Sequence, residues 1–278
     1  MNDSTKRHAT LAAVALVAAL AGACGSGPGH RVPPSADEPA RRADDDRTVY
    51  LGLIERMQRE GAYYASLAHI DAFRQRHGDP PRLRLMQADA LRGTGQADAA
   101  RQIYETLTGG AYAAAAWHGL GLIAVAGGQP ARAEQALARA TELAPLNADY
   151  LGDLGYQRLR AGRLADARTP LAMAAELSPA NPRAIANLAL WSLLQGDTRR
   201  AETLMQGAKL PDASRQAVYR LASELRPAVR HAQRADASTG GASPPPLAAS
   251  AAGIAAPPPM LERFRPSPSA GDGLLDER

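Results

Sequence analysis

Six histidines, one cysteine and one glycine-rich hexapeptide are the residues of this chain best suited to chemistry, and their spacing argues against catalysis. The histidines stand at positions 8, 30, 69, 77, 118 and 231. No two of them form the His-Glu-x-x-His pair that presents two imidazoles to zinc from one helix face. Cys24 is the single cysteine, so an intrachain disulfide framework and a cysteine-rich zinc site are both excluded. Asp44, Asp45 and Asp46 bring three carboxylates together, but without a histidine or the loop framework of a cation site. There is no Gly-x-Ser-x-Gly elbow and no Walker loop. Gly119-Leu120-Gly121-Leu122-Ile123-Ala124 matches the dinucleotide fingerprint Gly-x-Gly-x-x-Gly/Ala. That fingerprint works only in a tight strand-to-helix turn, where backbone amides meet a pyrophosphate. Here it follows Ala114-Ala115-Ala116-Trp117-His118, so it is expected inside a helix with Gly121 as a packing position. The reading is of a non-enzyme, with no cofactor, no metal and no small-molecule substrate.

The elements that carry these residues follow from composition. Of 278 residues, 45% are apolar but only 4% are aromatic, with two Phe and two Trp. The apolar share is mostly Ala and Leu, which form helices well, while the residues that favour sheets are scarce. An all-α fold is predicted. Lys plus Arg is 32 against 28 for Asp plus Glu, a net charge of +4. That balance does not fit a protein recruited to nucleic acid by bulk charge.

The first residues read as a targeting segment. Lys6 and Arg7 precede Leu11–Ala21, which carries no charge. With its flanks the small or apolar stretch runs from Ala9 to Ala23, shorter than the roughly 18 residues of a spanning helix. A charged start, a short apolar middle and small residues at the end describe a secretory signal peptide over 1–23. Leu20-Ala21-Gly22-Ala23-Cys24 resembles a bacterial lipobox, although the leucine stands four residues before the cysteine where three is usual. The resemblance implies cleavage before Cys24 and lipidation of its side chain. Gly25, rather than Asp, follows it, which implies the outer membrane as destination, with the folded part on the periplasmic face. Several acyl chains on one cysteine would make a stable membrane anchor.

Two flanks surround an ordered middle. Residues 25–46 hold four prolines, several glycines and mixed charge without apolar period, so 24–46 is expected to be a disordered linker spanning roughly 25 Å. The tail 236–278 holds eight prolines among Ser, Gly and Ala, and is expected to be disordered with polyproline stretches.

Between the flanks runs a period of about 34 residues. Glycines fall at 61, 95, 128, 162 and 196, at spacings of 34, 33, 34 and 34. Each reads as a helix stop. Five residues after each comes a small residue: Ser66, Ala100, Ala133, Ala167 and Ala201. Nine after it comes a larger apolar one: Ile70, Tyr104, Leu137, Leu171 and Met205. The first helices of later blocks carry apolar, apolar, small at i, i+3, i+4: Trp117, Leu120, Gly121, then Leu151, Leu154, Gly155, then Ile185, Leu188, Ala189. Such spacing marks one helix face. Pro145 and Pro179 close their blocks. The pattern resembles the tetratricopeptide repeat family over 47–211, in blocks 47–80, 81–113, 114–147, 148–181 and 182–211. Block one departs with Ile54 and Gly78, and block two with Arg84, Gln87 and one residue missing near Gly109-Gly110. A helix over 212–235, apolar along Val218, Leu221, Ala222 and Leu225 and rich in arginine on its other side, is expected to cap the solenoid, with Pro227 kinking or ending it.

The resemblance implies a concave groove lined by the first helix of each block. By register the lining of blocks three to five is His118, Leu122, Val125, Asp153, Tyr156, Leu159, Asn187, Leu190 and Leu193. The family's Lys-Asn-Arg carboxylate clamp is absent, so a chaperone tail is not the expected ligand; an apolar helix or extended protein segment suits the lining better. Ala115-Ala116-Trp117-His118-Gly119-Leu120-Gly121-Leu122, Asp149-Tyr150-Leu151-Gly152-Asp153-Leu154-Gly155-Tyr156 with Arg160-Ala161-Gly162-Arg163, and Asn187-Leu188-Ala189-Leu190 with Gln195-Gly196-Asp197 resemble the repeat lipoprotein of tight-adherence (Flp-type) pilus systems. That implies a pilotin-like scaffold whose partner is a secretin or another pilus-assembly component. The alternative with the same architecture is a lipoprotein that regulates a cell-wall synthase or hydrolase.

Overall fold

The computed structural model describes residues 38–239. The leader, Cys24 and nearly all of the proline-rich tail lie outside them. The described residues form eleven helices and no strand. In order these are α1 (Glu38–Arg59), α2 (Tyr63–His77), α3 (Pro81–Gly93), α4 (Ala97–Thr106), α5 (Ala113–Ala126), α6 (Pro130–Leu143), α7 (Ala148–Arg160), α8 (Leu164–Leu177), α9 (Pro182–Leu194), α10 (Thr198–Gly207) and α11 (Asp212–Thr239). Odd-numbered helices to α9 are the first helix of a block and even-numbered ones the second. From Tyr50 onward the repeats belong to one compact unit.

The five register glycines end the first helices in one way. Gly61, Gly95, Gly128, Gly162 and Gly196 all have positive φ, between 65° and 89°. In each case the glycine N–H donates three residues back and the next N–H donates five back, as in Gly162 to Leu159 and Arg163 to Arg158. This closes the orphan carbonyls of the last turn, at a backbone geometry where a side chain would be strained. The second helix then starts. Asn147 and Asn181, one repeat apart, cap α7 and α9 by accepting hydrogen bonds from the first-turn N–H groups.

The paired helices touch through the small positions. Ser66, Ala100, Ala133, Ala167 and Ala201 are all fully buried, and so are the larger residues four positions further on. A Cβ on Gly121 would stand 2.8 Å from Leu137, and one on Gly155 would stand 2.5 Å from Leu171. The same slot holds Ala88 in block two and Ala189 in block five, both without exposed surface. In repeat one, Ile54 fills it, and Tyr50 makes edge contacts with Phe73, His69 and His77. These two histidines are packing groups.

Three boundaries differ from the sequence reading. Residues 38–46, expected in the linker, are helical. Pro39 falls in the first turn, where proline costs no hydrogen bond, and the alanines and charged residues that follow are compatible with helix without any apolar period. At the other end α11 runs through Pro227 and on to Thr239, past the expected boundary at 235. Pro227 withholds one backbone donor, yet the helix continues because apolar contacts hold it on both sides, at Leu221, Ala222 and Val229. Finally, α4 has 10 residues where α6 and α8 have 14, and the longer connection 107–112 offsets part of the difference.

Candidate partner-binding groove

The groove faces of α7 and α9 are not open. Helix α11 packs against both. Leu159, Leu190 and Leu193 belong to one core cluster with Val218, Leu221, Ala222 and Val229 of α11. Leu190, expected to be a partner contact, has no exposed surface. Towards its far end α11 reaches the turn after α7. A Cβ on Gly162 would lie 2.7 Å from the Ala228 carbonyl oxygen and 2.9 Å from the Ala232 Cβ. Glycine thus lets two helices meet there backbone to backbone. The cause is the amphipathic face of α11, whose apolar side buries against the apolar positions that the solenoid offers.

The remaining candidates divide. Leu122, Val125 and Tyr156 are buried, with exposures of 9%, 8% and 7%. Leu122, Tyr156 and Leu190, expected in the groove lining, are therefore core instead. Asn187 is also buried; its Nδ2 donates a long 3.4 Å bond to the Gly152 carbonyl, and its Oδ1 has no partner. His118 and Asp153 pair across repeats three and four, Nε2 to Oδ2 at 2.8 Å, and the His118 ring stacks on Tyr150 at 4.4 Å.

Beside this pair, on α3, is a set of polar residues that α11 does not cover. Asp89 and Arg92 occupy the ninth and twelfth positions of block two. The Tyr104 hydroxyl donates to Asp89 at 2.6 Å, and Arg92 Nε donates to the same hydroxyl at 3.3 Å. Tyr104 is fully buried in α4, and its ring reaches across because residue 119 is glycine: a Cβ there would stand 2.3 Å from the ring. The glycine pair that resembled a nucleotide motif is thus a slot for a tyrosine and a seat for Leu137. Asp89 keeps 38% of its side chain exposed. Burial nevertheless pushes its carboxyl above the ordinary carboxylate range, against the opposing pulls of Arg92, the Tyr104 hydrogen bond and His118. A carboxylate can be both reachable and poorly solvated when it lies at the bottom of a trough with protein on several sides. Asp89, Arg92, His118, Tyr150 and Asp153 thus form a line of hydrogen-bonding groups over α3, α5 and α7. Ion pairs cross the flanking repeat junctions, Arg82 to Glu55 at 2.5 Å and Arg183 to Asp149 at 2.6 Å.

Comparison with known proteins fits this geometry. The family model described as tetratricopeptide repeat matches residues 85–145 and 118–182. These are tetratricopeptide repeats. A curated TPR repeat-containing protein of Pseudomonas aeruginosa is 33% identical over 153 residues, which are 54% of this chain and 58% of that protein. The chain therefore spans little more than half the length of that relative. The solved structure of a thermophilic TPR protein of Thermus thermophilus superposes with a TM-score of 0.52 at 17% identity, over 64% of this chain and 98% of that one. It shows the shared fold. MamA, residues 41 to its end, from Desulfovibrio magneticus RS-1 gives a TM-score of 0.46 at 17% identity, over 59% of this chain and 94% of that one.

Asp89, Arg92, Tyr104 and Tyr150 were not among the sequence candidates. The register of the tetratricopeptide repeat contains the signal for the first two, since counting nine and twelve from Pro81 lands on them. The polar residues Arg84 and Gln87 break the apolar pattern of block two and mask its groove face. Among the described residues no group of three His, Cys, Asp or Glu side chains is placed to hold a metal ion. No described helix is long and apolar enough to cross a membrane.

Proposed function

We propose that this chain is a non-enzymatic, lipid-anchored scaffold of the outer membrane that acts like a pilotin in tight-adherence pilus assembly. Its repeats hold a segment of a secretin or of another assembly component. The contact is the polar trough over α3, α5 and α7, because the apolar half of the groove is already filled by α11. The observation that carries this is Asp89: a partly exposed carboxylate, held by Tyr104 and Arg92 on the face that α11 leaves uncovered, can still accept from a donor on a partner. The anchor rests on the lipobox-like Leu20–Cys24, and the pilus assignment on the three stretches in blocks three to five. The reading is tested in a deletion strain complemented either with the parent chain or with Asp89→Lys. Loss of secretin multimers and pili in the deletion, restored by the parent and not by the variant at equal protein level, supports it. Normal secretin and pili with altered cell-wall cross-linking would replace it with a cell-wall regulator.

A further inference from the structure

The outward side of α11 is chemically unlike its buried side. Arg226, Arg230 and Arg234 are exposed and four residues apart, so they line up along the helix at steps of roughly 6 Å. Arg220 is exposed on the same side, opposite the buried Val218, Leu221, Ala222 and Val229. Tyr219, 40% exposed, lies there too. From Arg220 to Ala235 the sequence contains four arginines, one histidine and a single acid, the exposed Glu224. Among the described residues none of these four arginines is in an ion pair, whereas Arg215, nearer the helix start, is held by Asp212. At the turn that α11 touches, the carboxylate of Glu134 is taken by Arg158 and Arg163. Arg160, two residues before Gly162, adds one more positive charge nearby.

We propose that this outward face of α11 docks on an anionic phospholipid bilayer. The cations are spread along one helix side over roughly 21 Å, from residue 220 to 234. A flat, laterally extended anion matches such a row better than a folded acidic protein. The apolar side of α11 stays buried against α7 and α9, so the contact is electrostatic and does not insert. It is independent of the acyl anchor on Cys24 and would hold the repeats flat against the membrane rather than let them hang from a tether.

The test uses the mature chain, from residue 24 onward, carrying Cys24→Ser, which cannot be acylated and lacks the apolar leader. It is sedimented with vesicles of phosphatidylcholine alone and with vesicles containing about 30% phosphatidylglycerol; the anionic lipid supplies the surface potential. Each arginine near such a surface contributes roughly fivefold in partitioning. The variant Arg220→Gln, Arg226→Gln, Arg230→Gln, Arg234→Gln is expected to lose at least tenfold of the added binding to anionic vesicles. A charge-matched variant, Arg76→Gln, Arg132→Gln, Arg168→Gln, Arg199→Gln, keeps it, with circular dichroism unchanged in both. Equal loss in the two variants, equal binding to neutral and anionic vesicles, or binding unaffected by the α11 substitutions would each overturn the proposal. None of these results bears on whether Cys24 is acylated or on what the trough over α3, α5 and α7 holds.

Discussion

At the scale of single residues, two positions set the terms. Gly155 faces Leu171 so closely that any side chain collides. Gly155→Leu should cost about 2–3 kcal/mol by overpacking, read as a fall in denaturation midpoint without change of slope. An unchanged midpoint would mean that α7 and α8 do not meet as described. Asp89 has a pH signature. Its carboxyl is raised above the ordinary value of 3.8 in the fold, with burial as the largest cause. Below that value folded and unfolded chains are both protonated and nothing is lost. As pH rises from there through the raised folded value, the unfolded chain ionises first, and stability falls. Asp89→Asn removes this loss, so the variant should gain on the parent as pH rises just above the ordinary carboxylate range, and hold a constant lead beyond it. Melting curves over that range check it; a difference that stays flat with pH would contradict the placement. The glycine register and the small positions behind it were legible in the sequence, because each is dictated by local backbone or by close helix contact. The ring slot at Gly119 was not, since it depends on a tyrosine from the previous repeat.

At the scale of elements, α11 decides what the groove is. The apolar face of this helix could be read from Val218, Leu221, Ala222 and Leu225, but not where it would be buried. Period alone places an apolar side; it does not choose between the open end of a solenoid and its inner face. For the same reason Leu159, Leu190 and Leu193 looked like partner contacts: they sit at groove positions, and only the tertiary structure shows α11 on them. Two glycines separate this docking from simple turn geometry. Gly162 and Gly196 share positive φ, 77° and 89°, so an alanine at either costs roughly 1–2 kcal/mol in the backbone. Around Gly196 a Cβ has open space, whereas at Gly162 it meets the Ala228 carbonyl. Gly162→Ala should therefore cost more than Gly196→Ala and should raise amide exchange along residues 226–235. Equal costs and unchanged exchange would show that α11 does not reach the turn.

At the scale of the whole molecule, the account is of a repeat solenoid whose own last helix fills the apolar part of the groove and leaves a polar trough for a partner. Composition predicted the all-α fold, and the period predicted the repeats, because both follow from many weak local preferences acting in the same direction. The trough was only half legible: His118 and Asp153 were seen, and Asp89 and Arg92 were hidden by a block that breaks the apolar pattern. The direct test is site-specific photo-crosslinking in cells that assemble pili. A photoreactive phenylalanine analogue is placed in turn at Tyr150, beside His118 in the trough, at Tyr64 on the exposed side of α2 and at Leu146 in the loop after α6. The account predicts a discrete crosslinked partner from position 150 and none from 64 or 146. A partner captured from position 64 or 146, with nothing from 150, would contradict it.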